Sequence, residues 1–204
     1  MITIVDYQAG NLTSVRRALD ALGIPCRISA DPELVRRAEC IIFPGVGAAG
    51  AAMTVLRARG LDQALAEAFR AGTPILGICL GCQIVLTHSE EDDTDCLNFI
   101  PGQTVRFRPT EPALKIPHMG WNEVTTTRPH PLLAHLRPGD QVYFVHSYYP
   151  RPDCPEDVFA VCDYGGLFPA AIGRANLFAV QFHAEKSGPL GLQILKNFAE
   201  WKPC

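Results

Sequence analysis

Residues 74–83 read Pro-Ile-Leu-Gly-Ile-Cys-Leu-Gly-Cys-Gln. The apolar residues that precede Cys79 predict a buried strand, and Gly77 and Gly81 stand two residues away on either side of the cysteine. A strand followed by Gly-x-Cys-x-Gly is the thiol form of a nucleophile elbow, a sharp strand-to-helix turn that lifts a nucleophile above its sheet. A side chain at either glycine would meet neighbouring backbone in so tight a turn. The stretch therefore predicts a reactive Cys79 at the start of a helix.

The start of a helix favours the reactive form of a thiol. The helix dipole and the free N–H groups at its N-terminus favour thiolate over thiol. The backbone N–H of Leu80 would point towards the position of an oxyanion. Gln83 lies four residues after Cys79, about one helical turn on, so it can face the same pocket. The alternative for Gln83 is an ordinary polar residue on the helix surface.

A nucleophilic cysteine needs a base, and the base needs a group that orients it. Residues 177–185 read Leu-Phe-Ala-Val-Gln-Phe-His-Ala-Glu, an apolar strand with His183 and Glu185 at its end. Because side chains alternate along a strand, residues two apart point the same way, and Glu185 is expected to reach the far ring nitrogen of His183. The alternative is a surface strand end with two polar residues. The elbow upstream favours a Cys79–His183–Glu185 triad.

The order of apolar segments predicts an α/β fold. Strands are expected at 2–6, 25–29, 40–43 and 74–78. The first helix is expected to begin after an N-cap at Asn11, the second after Asp31-Pro32, and a third helical stretch to cover about 48–71 with a break near Gly60. A further helix is expected to begin at Gly81. Shorter strands follow at 103–107, 121–126, 142–146, 158–162 and 168–173, with a last helix at 188–200. This order predicts a three-layer sandwich with a mainly parallel central sheet and its active site at the carboxyl ends of the strands. We expect one domain over residues 1–204.

Composition narrows the classes of function. A formal net charge of −3 gives no electrostatic case for binding nucleic acid or an anionic membrane. No apolar run approaches the roughly 18 residues that span a bilayer, and no basic region precedes the first strand, so we expect a cytoplasmic protein without a signal peptide. We interpret Cys26, Cys40 and Cys162 as small core residues, and Cys96, Cys154 and Cys204 as exposed thiols.

Seven blocks of sequence, in a fixed order over nearly the whole chain, carry a resemblance to a known family. The blocks are Asp6-Tyr7 with Gly10-Asn11-Leu12, Pro44-Gly-Val-Gly47, Gly77-Ile-Cys-Leu-Gly-Cys-Gln83, Ser89-Glu-Glu91, Pro117-His-Met-Gly-Trp-Asn122, Phe144-Val-His-Ser-Tyr148 and Gln181-Phe-His-Ala-Glu-Lys-Ser187. The chain resembles the class I (triad) glutamine amidotransferases, which have a flavodoxin-like fold. Within them it resembles the glutaminase subunits of imidazole glycerol phosphate synthase.

The resemblance implies a chemistry for the site. It implies hydrolysis of L-glutamine to glutamate and ammonia, with Cys79 as nucleophile and His183 and Glu185 as base and orienting acid. Backbone N–H groups near Val46 and Gly47 would complete the oxyanion hole with Leu80, after a peptide flip; alone, this loop is a strand-ending turn. Nothing in the sequence indicates a metal or an organic cofactor. Its substrate-binding residues correspond here to Gln83, Glu91, His146, Ser147 and Tyr148.

The resemblance also implies a partner, a (β/α)₈-barrel cyclase subunit in a heterodimer. The docking face would contain Asn11, Pro117, His118, Met119, Gly120, Trp121, Asn122 and Lys186. Trp and Met are residue types that suit the centre of an interface. The cyclase would use the ammonia to make imidazole glycerol phosphate and an aminoimidazole carboxamide ribotide for histidine synthesis. We expect the isolated subunit to be nearly inactive.

Two alternative functions remain open, and two alternative roles of the cysteines are rejected. A related subunit would supply ammonia for amidating surface-polysaccharide sugars, and a non-catalytic partner subunit would have no need of the triad. Cys79 and Cys82 also form a Cys-x-x-Cys pair, the redox pattern of thioredoxin-like proteins, and with His88 an incomplete zinc set. We reject both readings, because the rest of such a fold and a fourth ligand are missing.

Two residues depart from the family pattern. Ala184 stands where proline is usual between the triad histidine and glutamate, and proline would stiffen that turn. We expect reduced or unchanged activity from this change. Gln8 stands where glycine is common, and it alters the loop near the partner if that position needs φ > 0.

Overall fold

The computed structural model describes residues 1–8, 10–109 and 114–203. Its helices are α1 (Leu12–Ala21), α2 (Pro32–Arg36), α3 (Ala49–Ala58), α4 (Leu61–Arg70), α5 (Leu80–Gln83) and α6 (Gly188–Glu200). The strands of the first half are β1 (Ile2–Val5), β2 (Cys26–Ser29), β3 (Cys40–Gly45), β4 (Ile75–Cys79), β5 (His88–Ser89), β6 (Thr94–Asp95) and β7 (Gly102–Arg106). Those of the second half are β8 (His118–Glu123), β9 (Thr125–Thr126), β10 (Gln141–His146), β11 (Tyr148–Pro152), β12 (Val158–Asp163), β13 (Leu167–Arg174) and β14 (Leu177–Val180).

The central sheet has the strand order β2-β1-β3-β4-β14-β13-β12-β9. The first five strands are parallel, and β13, β12 and β9 continue the sheet in antiparallel pairing. Strands β1, β4 and β14 are buried along their whole length, which is the pattern of a parallel sheet covered on both faces. The nucleophile strand β4 lies in the middle, between β3 and β14.

Helices cover the two faces and form the outer layers. Apolar side chains of α1 and α6 pack into one hydrophobic cluster, and those of α2, α3 and α4 pack into a second cluster. The buried strands contribute residues to both clusters, because successive side chains of a strand point to opposite faces. The predicted three-layer α/β sandwich is therefore confirmed, and α6 has the predicted bounds.

Two smaller sheets flank the carboxyl ends of the parallel strands. One pairs β8 with β10, and the other has the order β11-β7-β5-β6. The single strand predicted at 121–126 is wrong, because β8 begins at His118 and pairs with β10, whereas β9 pairs with β12. Strands β5, β6 and β11 were not predicted from the sequence. Two of these have only two residues, too few to show a period of two.

The predicted helix caps and the predicted conformation of Gln8 are confirmed in part. Asp31 caps α2, since its carboxylate accepts the Glu33 N–H at 2.9 Å. Asn11 stands at the N-cap position of α1, but it has φ 76° and its side chain makes no capping bond, so the predicted capping role is wrong. Gln8 has φ 66°, the left-handed region, so this position does require a conformation that glycine adopts more readily.

The cysteines divide by exposure. Cys162 is buried and Cys154 is exposed, as expected, whereas Cys26, Cys40 and Cys96 are all intermediate. The core interpretation of Cys26 and Cys40 is therefore too strong, and Cys204 lies outside the described residues. No helix in the described part of the chain is long and apolar enough to cross a membrane.

Candidate active site

Cys79 ends β4 in a conformation that is rare for a residue with a side chain. Its φ of 56° and ψ of −107° make the sharp elbow between strand and helix. A Cβ at Gly81 would lie 1.9 Å from the carbonyl oxygen of Phe43, and one at Gly77 would lie 2.9 Å from the Gly81 carbonyl oxygen. Glycine is required at both positions because backbone from β3 and α5 fills that space. The elbow is present as predicted.

The helix after the elbow is much shorter than expected. Only Leu80–Gln83 is helical, a single turn, whereas the sequence suggested a continuing helix from Gly81. A macrodipole grows with the number of aligned peptide groups, so one turn supplies little of it. Any stabilisation of a Cys79 thiolate must therefore come from local N–H groups and from charged neighbours.

His183 and Glu185 form a buried hydrogen-bonded pair. The Nδ1 atom of His183 lies 2.7 Å from Oε1 of Glu185, and the two side chains are 1% and 0% exposed. The pair forms with Ala184 between its members. The route to it differs from the prediction, because β14 ends at Val180 and a short 3₁₀ turn, Ala184–Lys186, brings the carboxylate back to the ring. Strand alternation is therefore the wrong reason for a correct pairing.

The environment of His183 favours its charged form. Burial of the ring lowers its pKa, but the hydrogen bond to Glu185 and the charges of the neighbouring Cys79 and Glu185 outweigh burial and raise the pKa to about 9. The Nε2 atom makes no hydrogen bond with any described residue. Since Nδ1 is occupied by Glu185, Nε2 is the ring atom that is left for proton exchange with Cys79 or with a substrate.

Neighbouring groups hold the pair in place. Asn11, which was predicted for the docking face, donates from Nδ2 to Oε1 of Glu185 and so lies against the triad. The His183 N–H donates to the Tyr143 carbonyl at 2.9 Å, and the Ser187 hydroxyl donates to the His183 carbonyl at 2.7 Å. The sequence analysis gave Ser187 no role, although the residue closes the conspicuous block that contains the triad pair.

Cys79 and His183 line one cavity of about 310 Å³. Every residue predicted for the oxyanion hole or for substrate binding lines the same cavity: Val46, Gly47, Leu80, Gln83, Glu91, His146, Ser147 and Tyr148. The loop of Val46 and Gly47 leaves β3 directly beside the nucleophile, because Gly45 pairs with Cys79 in the sheet. Gly47 has φ 98°, which only glycine adopts without strain.

Two polar side chains on one side of the cavity contact each other. Gln83 donates from Nε2 to the Tyr148 carbonyl at 2.8 Å and to Oε1 of Gln181 at 3.0 Å. Gln181 in turn places its Nε2 3.9 Å from the Cys79 sulfur. Both amide hydrogens of Gln83 are thus used within the protein, and only its Oε1 remains for a ligand. Gln181 was not assigned a role from the sequence, although it is an amide within an apolar segment. The structure shows that its side chain is fully buried.

Glu91 supplies an acidic group at the cavity wall. One of its oxygens accepts the Ala49 N–H at 2.8 Å. Partial burial raises the pKa of Glu91 above its ordinary value, the Ala49 N–H opposes this shift, and the nearby Asp92 adds to it. The other carboxylate oxygen is available for a cationic group of a ligand.

The residues predicted for a docking face are divided by the structure. Met119 and Trp121, on the outward side of β8, are 62% and 53% exposed. Lys186, which follows Glu185 of the triad in sequence, is also exposed. Pro117 is exposed and also lines the cavity. His118 is only 3% exposed, so its assignment to the docking face is wrong. The alternation of side chains along β8 turns His118 inward and Met119 outward.

The Cys-x-x-Cys pattern has no support from the packing. Cys79 belongs to the hydrophobic cluster under α1 and α6, whereas Cys82 belongs to the cluster on the other face of the sheet. Burial raises the pKa of the Cys82 thiol, which makes it less reactive. Among the described residues, no three His, Cys, Asp or Glu side chains are grouped closely enough to hold a metal ion.

Comparison with known proteins gives a consistent family. The model of the class-I glutamine amidotransferase family matches residues 3–201. The imidazole glycerol phosphate synthase subunit HisH of Nitratidesulfovibrio vulgaris is 53% identical, over 97% of this chain and 95% of the relative. The subunit of the same name from Desulfovibrio desulfuricans is 50% identical, over 98% of this chain and 94% of the relative. These names favour histidine biosynthesis over polysaccharide amidation.

Solved structures agree on the fold. A glutamine amidotransferase crystal structure superposes with a TM-score of 0.76 at 16% identity, covering 98% of both chains. A chain of PurLQS from Thermotoga maritima gives a TM-score of 0.75 at 16% identity, covering 98% of this chain and 97% of that one. The sequence resemblance, the elbow and the buried histidine–glutamate pair thus lead to one conclusion: the chain belongs to the class-I glutamine amidotransferase family, among the HisH glutaminase subunits of imidazole glycerol phosphate synthase.

Proposed function

We propose that this chain, as one domain acting in the cytoplasm, hydrolyses L-glutamine with the triad Cys79, His183 and Glu185 and delivers the ammonia to a cyclase subunit. The observation that carries the proposal is the single cavity that contains the elbow cysteine and the histidine. The histidine is bonded to Glu185 through Nδ1, and its Nε2 is free of hydrogen bonds to the described residues. That is the arrangement of a nucleophile, a base and an orienting acid.

In the first half of the reaction, Cys79 attacks the side-chain amide carbon of glutamine. His183 accepts the thiol proton on Nε2, and the raised pKa of His183 favours the imidazolium form. The backbone N–H of Leu80, with one from the loop of Val46 and Gly47, stabilises the oxyanion; losing one such donor typically costs about 10²–10³ in rate. The imidazolium then protonates the amide nitrogen of the tetrahedral intermediate, the C–N bond breaks, and ammonia leaves with the γ-glutamyl thioester remaining on Cys79.

In the second half, water hydrolyses the γ-glutamyl thioester. His183 accepts a proton from the water and returns the cysteine to its starting state, and glutamate leaves. Glu185 does not line the cavity, so its role is to orient the ring and to stabilise its charge. The α-ammonium of the substrate binds Glu91, and its α-carboxylate binds near the backbone of Ser147 and Tyr148.

The partner docks on the outward face of β8. Met119 pairs across the strands with Val145, a residue of the cavity wall, and Trp121 pairs with Tyr143, whose carbonyl holds His183. An apolar surface directly beside the cavity is suited to a subunit that receives ammonia before water protonates it. We assign this surface to the (β/α)₈-barrel cyclase, which converts the ammonia and a ribotide to imidazole glycerol phosphate and the carboxamide ribotide.

The test of activity is glutamate release from glutamine, measured with and without the cyclase subunit and its ribotide ligand. We expect turnover that depends on the liganded partner and disappears in Cys79→Ala, while the matched control Cys154→Ala, an exposed cysteine, keeps it. Turnover in wild type would also show that Ala184 is tolerated. No turnover from an intact complex would refute the proposal.

Docking has its own test. Trp121→Ala should weaken binding of the cyclase by about 2 kcal/mol or more, as expected for a central aromatic anchor. Leu34→Ala is the control, since Leu34 is also an exposed apolar residue but lies on α2. Equal affinities for the two variants, measured by titration calorimetry, would exclude this surface.

A further inference from the structure

A buried chain of hydrogen bonds connects β8 to the wall of the cavity. His118 and His146 are cross-strand partners, 3% and 5% exposed, and the Nδ1 atom of His118 lies 3.0 Å from Nε2 of His146. His146 Nδ1 lies 2.8 Å from the Tyr148 carbonyl oxygen. At the other end, Nδ2 of Asn122 lies 3.3 Å from Nε2 of His118.

The groups at the two ends decide where the protons are. A carbonyl oxygen only accepts, so His146 must carry a proton on Nδ1. In a neutral ring Nε2 is then an acceptor, and His118 must donate to it from its own Nδ1. The Nε2 of His118 accepts from the Asn122 amide, whose other hydrogen goes to the Asp163 carbonyl at 2.9 Å. All donors in the chain therefore point from β8 towards Tyr148.

Burial keeps both rings neutral and in place. It lowers the pKa of His118 to about 4, and it lowers the pKa of His146 to about 3 with small contributions from neighbouring groups. The His118 ring is stacked between Tyr164, at 4.0 Å between centroids, and Phe144, at 4.8 Å. Rotation of the ring to other partners would break both stacks.

The end of the chain is a group that also orients the substrate wall. The Tyr148 carbonyl accepts a second hydrogen bond, from Gln83, and Gln83 continues to Gln181 and towards the Cys79 sulfur. Fixing that carbonyl fixes the main chain of Ser147–Tyr148 and the direction of the free Gln83 oxygen, and all of these line the cavity.

We propose that His118 and His146 are positioning residues, which hold the Tyr148 carbonyl and Gln83 in the arrangement that binds glutamine. The proposal rests on the glutaminase function proposed above. It reassigns His118 from the docking surface to the interior, and it gives His146 a role through Tyr148. It also connects the docking strand β8 to the substrate wall through the buried His118–His146 pair, because Asn122 of β8 is the first member of this series of hydrogen bonds.

Two nearly isosteric variants separate hydrogen bonding from packing. His118→Asn keeps a donor where Nδ1 lies, whereas His118→Leu has the same shape without it, and both lose the same ring contacts. With the cyclase subunit present, we expect the Leu variant to raise KM for glutamine about tenfold over the Asn variant, because an acceptor on His146 is left unpaired. The ratio of the two kcat values should stay near one.

The outcomes distinguish the two proposals. A wild-type complex that releases no glutamate refutes the glutaminase function itself. An active wild type with equal KM in the Asn and Leu variants refutes only the positioning role, as does a difference confined to kcat.

A measurement on the unmodified chain does not depend on how the variants fold. In uniformly ¹⁵N-labelled protein at pH 7, the nitrogen shifts of both imidazoles should report the neutral Nδ1–H form, the less common tautomer of free histidine. An imidazolium, or an Nε2–H tautomer, in either ring would overturn the donor direction and with it the proposal.

Discussion

Replacing Glu185 by glutamine removes a charge from the triad with almost no change of shape. The Oε1 atom of Glu185 accepts from His183 and from Asn11, and Oε2 makes no hydrogen bond with the described residues. A glutamine can therefore keep its oxygen towards the two donors and place its amide nitrogen where Oε2 lies. The shape of the side chain is kept, so a change of rate in the folded variant reports on the lost charge.

The size of the effect follows from the pKa of His183. Raising that pKa from 6.5 to about 9 corresponds to about 3 kcal/mol in favour of the imidazolium, as an order of magnitude. The hydrogen bond to Glu185 and the charges of Cys79 and Glu185 together produce it against the effect of burial. If Glu185 contributes about half, the loss of its charge costs roughly tenfold in rate. Because the glutamine oxygen still accepts the Nδ1–H of His183, the tautomer is kept, and we expect kcat of Glu185→Gln to fall by about tenfold.

The assay is steady-state glutamate release with saturating cyclase and ribotide, over a range of pH. KM for glutamine should be unchanged, because Glu185 does not line the cavity, and the pKa assigned to His183 should move below about 9. Glu200→Gln, the same change on the exposed end of α6, is the control and should behave as wild type. A kcat within about threefold of wild type would refute this account of the triad.

Three further predictions concern stability. Gly81→Ala should lower the free energy of unfolding by about 3 kcal/mol or more, because the added Cβ would lie 1.9 Å from a carbonyl oxygen of β3. Gly72→Ala is the control: its Cβ would meet nothing within 4 Å, so the free energy of unfolding should fall by only about 1 kcal/mol, from backbone strain. Gln8→Gly should raise the unfolding free energy by up to about 1 kcal/mol through relief of a left-handed conformation, whereas Gln8→Ala should not, as urea titration can measure. The pKa values of His118 and His130 are lowered by burial to about 4, so the stability present above pH 6.5 should decrease as the pH falls towards 4; a constant urea midpoint over that range would contradict this.

Patterns within short segments predicted most of the sandwich. The helical spacing from Gly188 through Glu200 and the break at Gly60 depend only on neighbouring residues, and α3, α4 and α6 were located correctly. The elbow was equally visible, because its glycines are required by backbone that lies within a few residues or in the adjacent strand. Such features can be predicted from the sequence because the local pattern and the tertiary structure favour the same conformation.

The short strands and the details of the cavity were less accessible. Strand β9 begins only two residues after the end of β8 but pairs with a different strand, β12. This pairing depends on residues more than thirty positions away in the sequence. The 3₁₀ turn that joins His183 to Glu185 depends on Tyr143 and Ser187, whose contacts do not follow from the spacing of two residues. The pair was therefore predicted correctly but from the wrong local geometry.

The chemistry of this chain was therefore encoded in its order of residues, and the arrangement of that chemistry arose from folding. Gly-x-Cys-x-Gly, a histidine and a glutamate two residues apart, and their family context were enough to predict the triad. The burial of His118, the direction of its hydrogen bonds and the contact of Gln181 with Gln83 and Cys79 depend on strands brought together from distant parts of the chain. Whether a polar side chain faces solvent, a partner or a buried acceptor is decided only when those strands pair, because desolvation and hydrogen-bond geometry are properties of the packed interior.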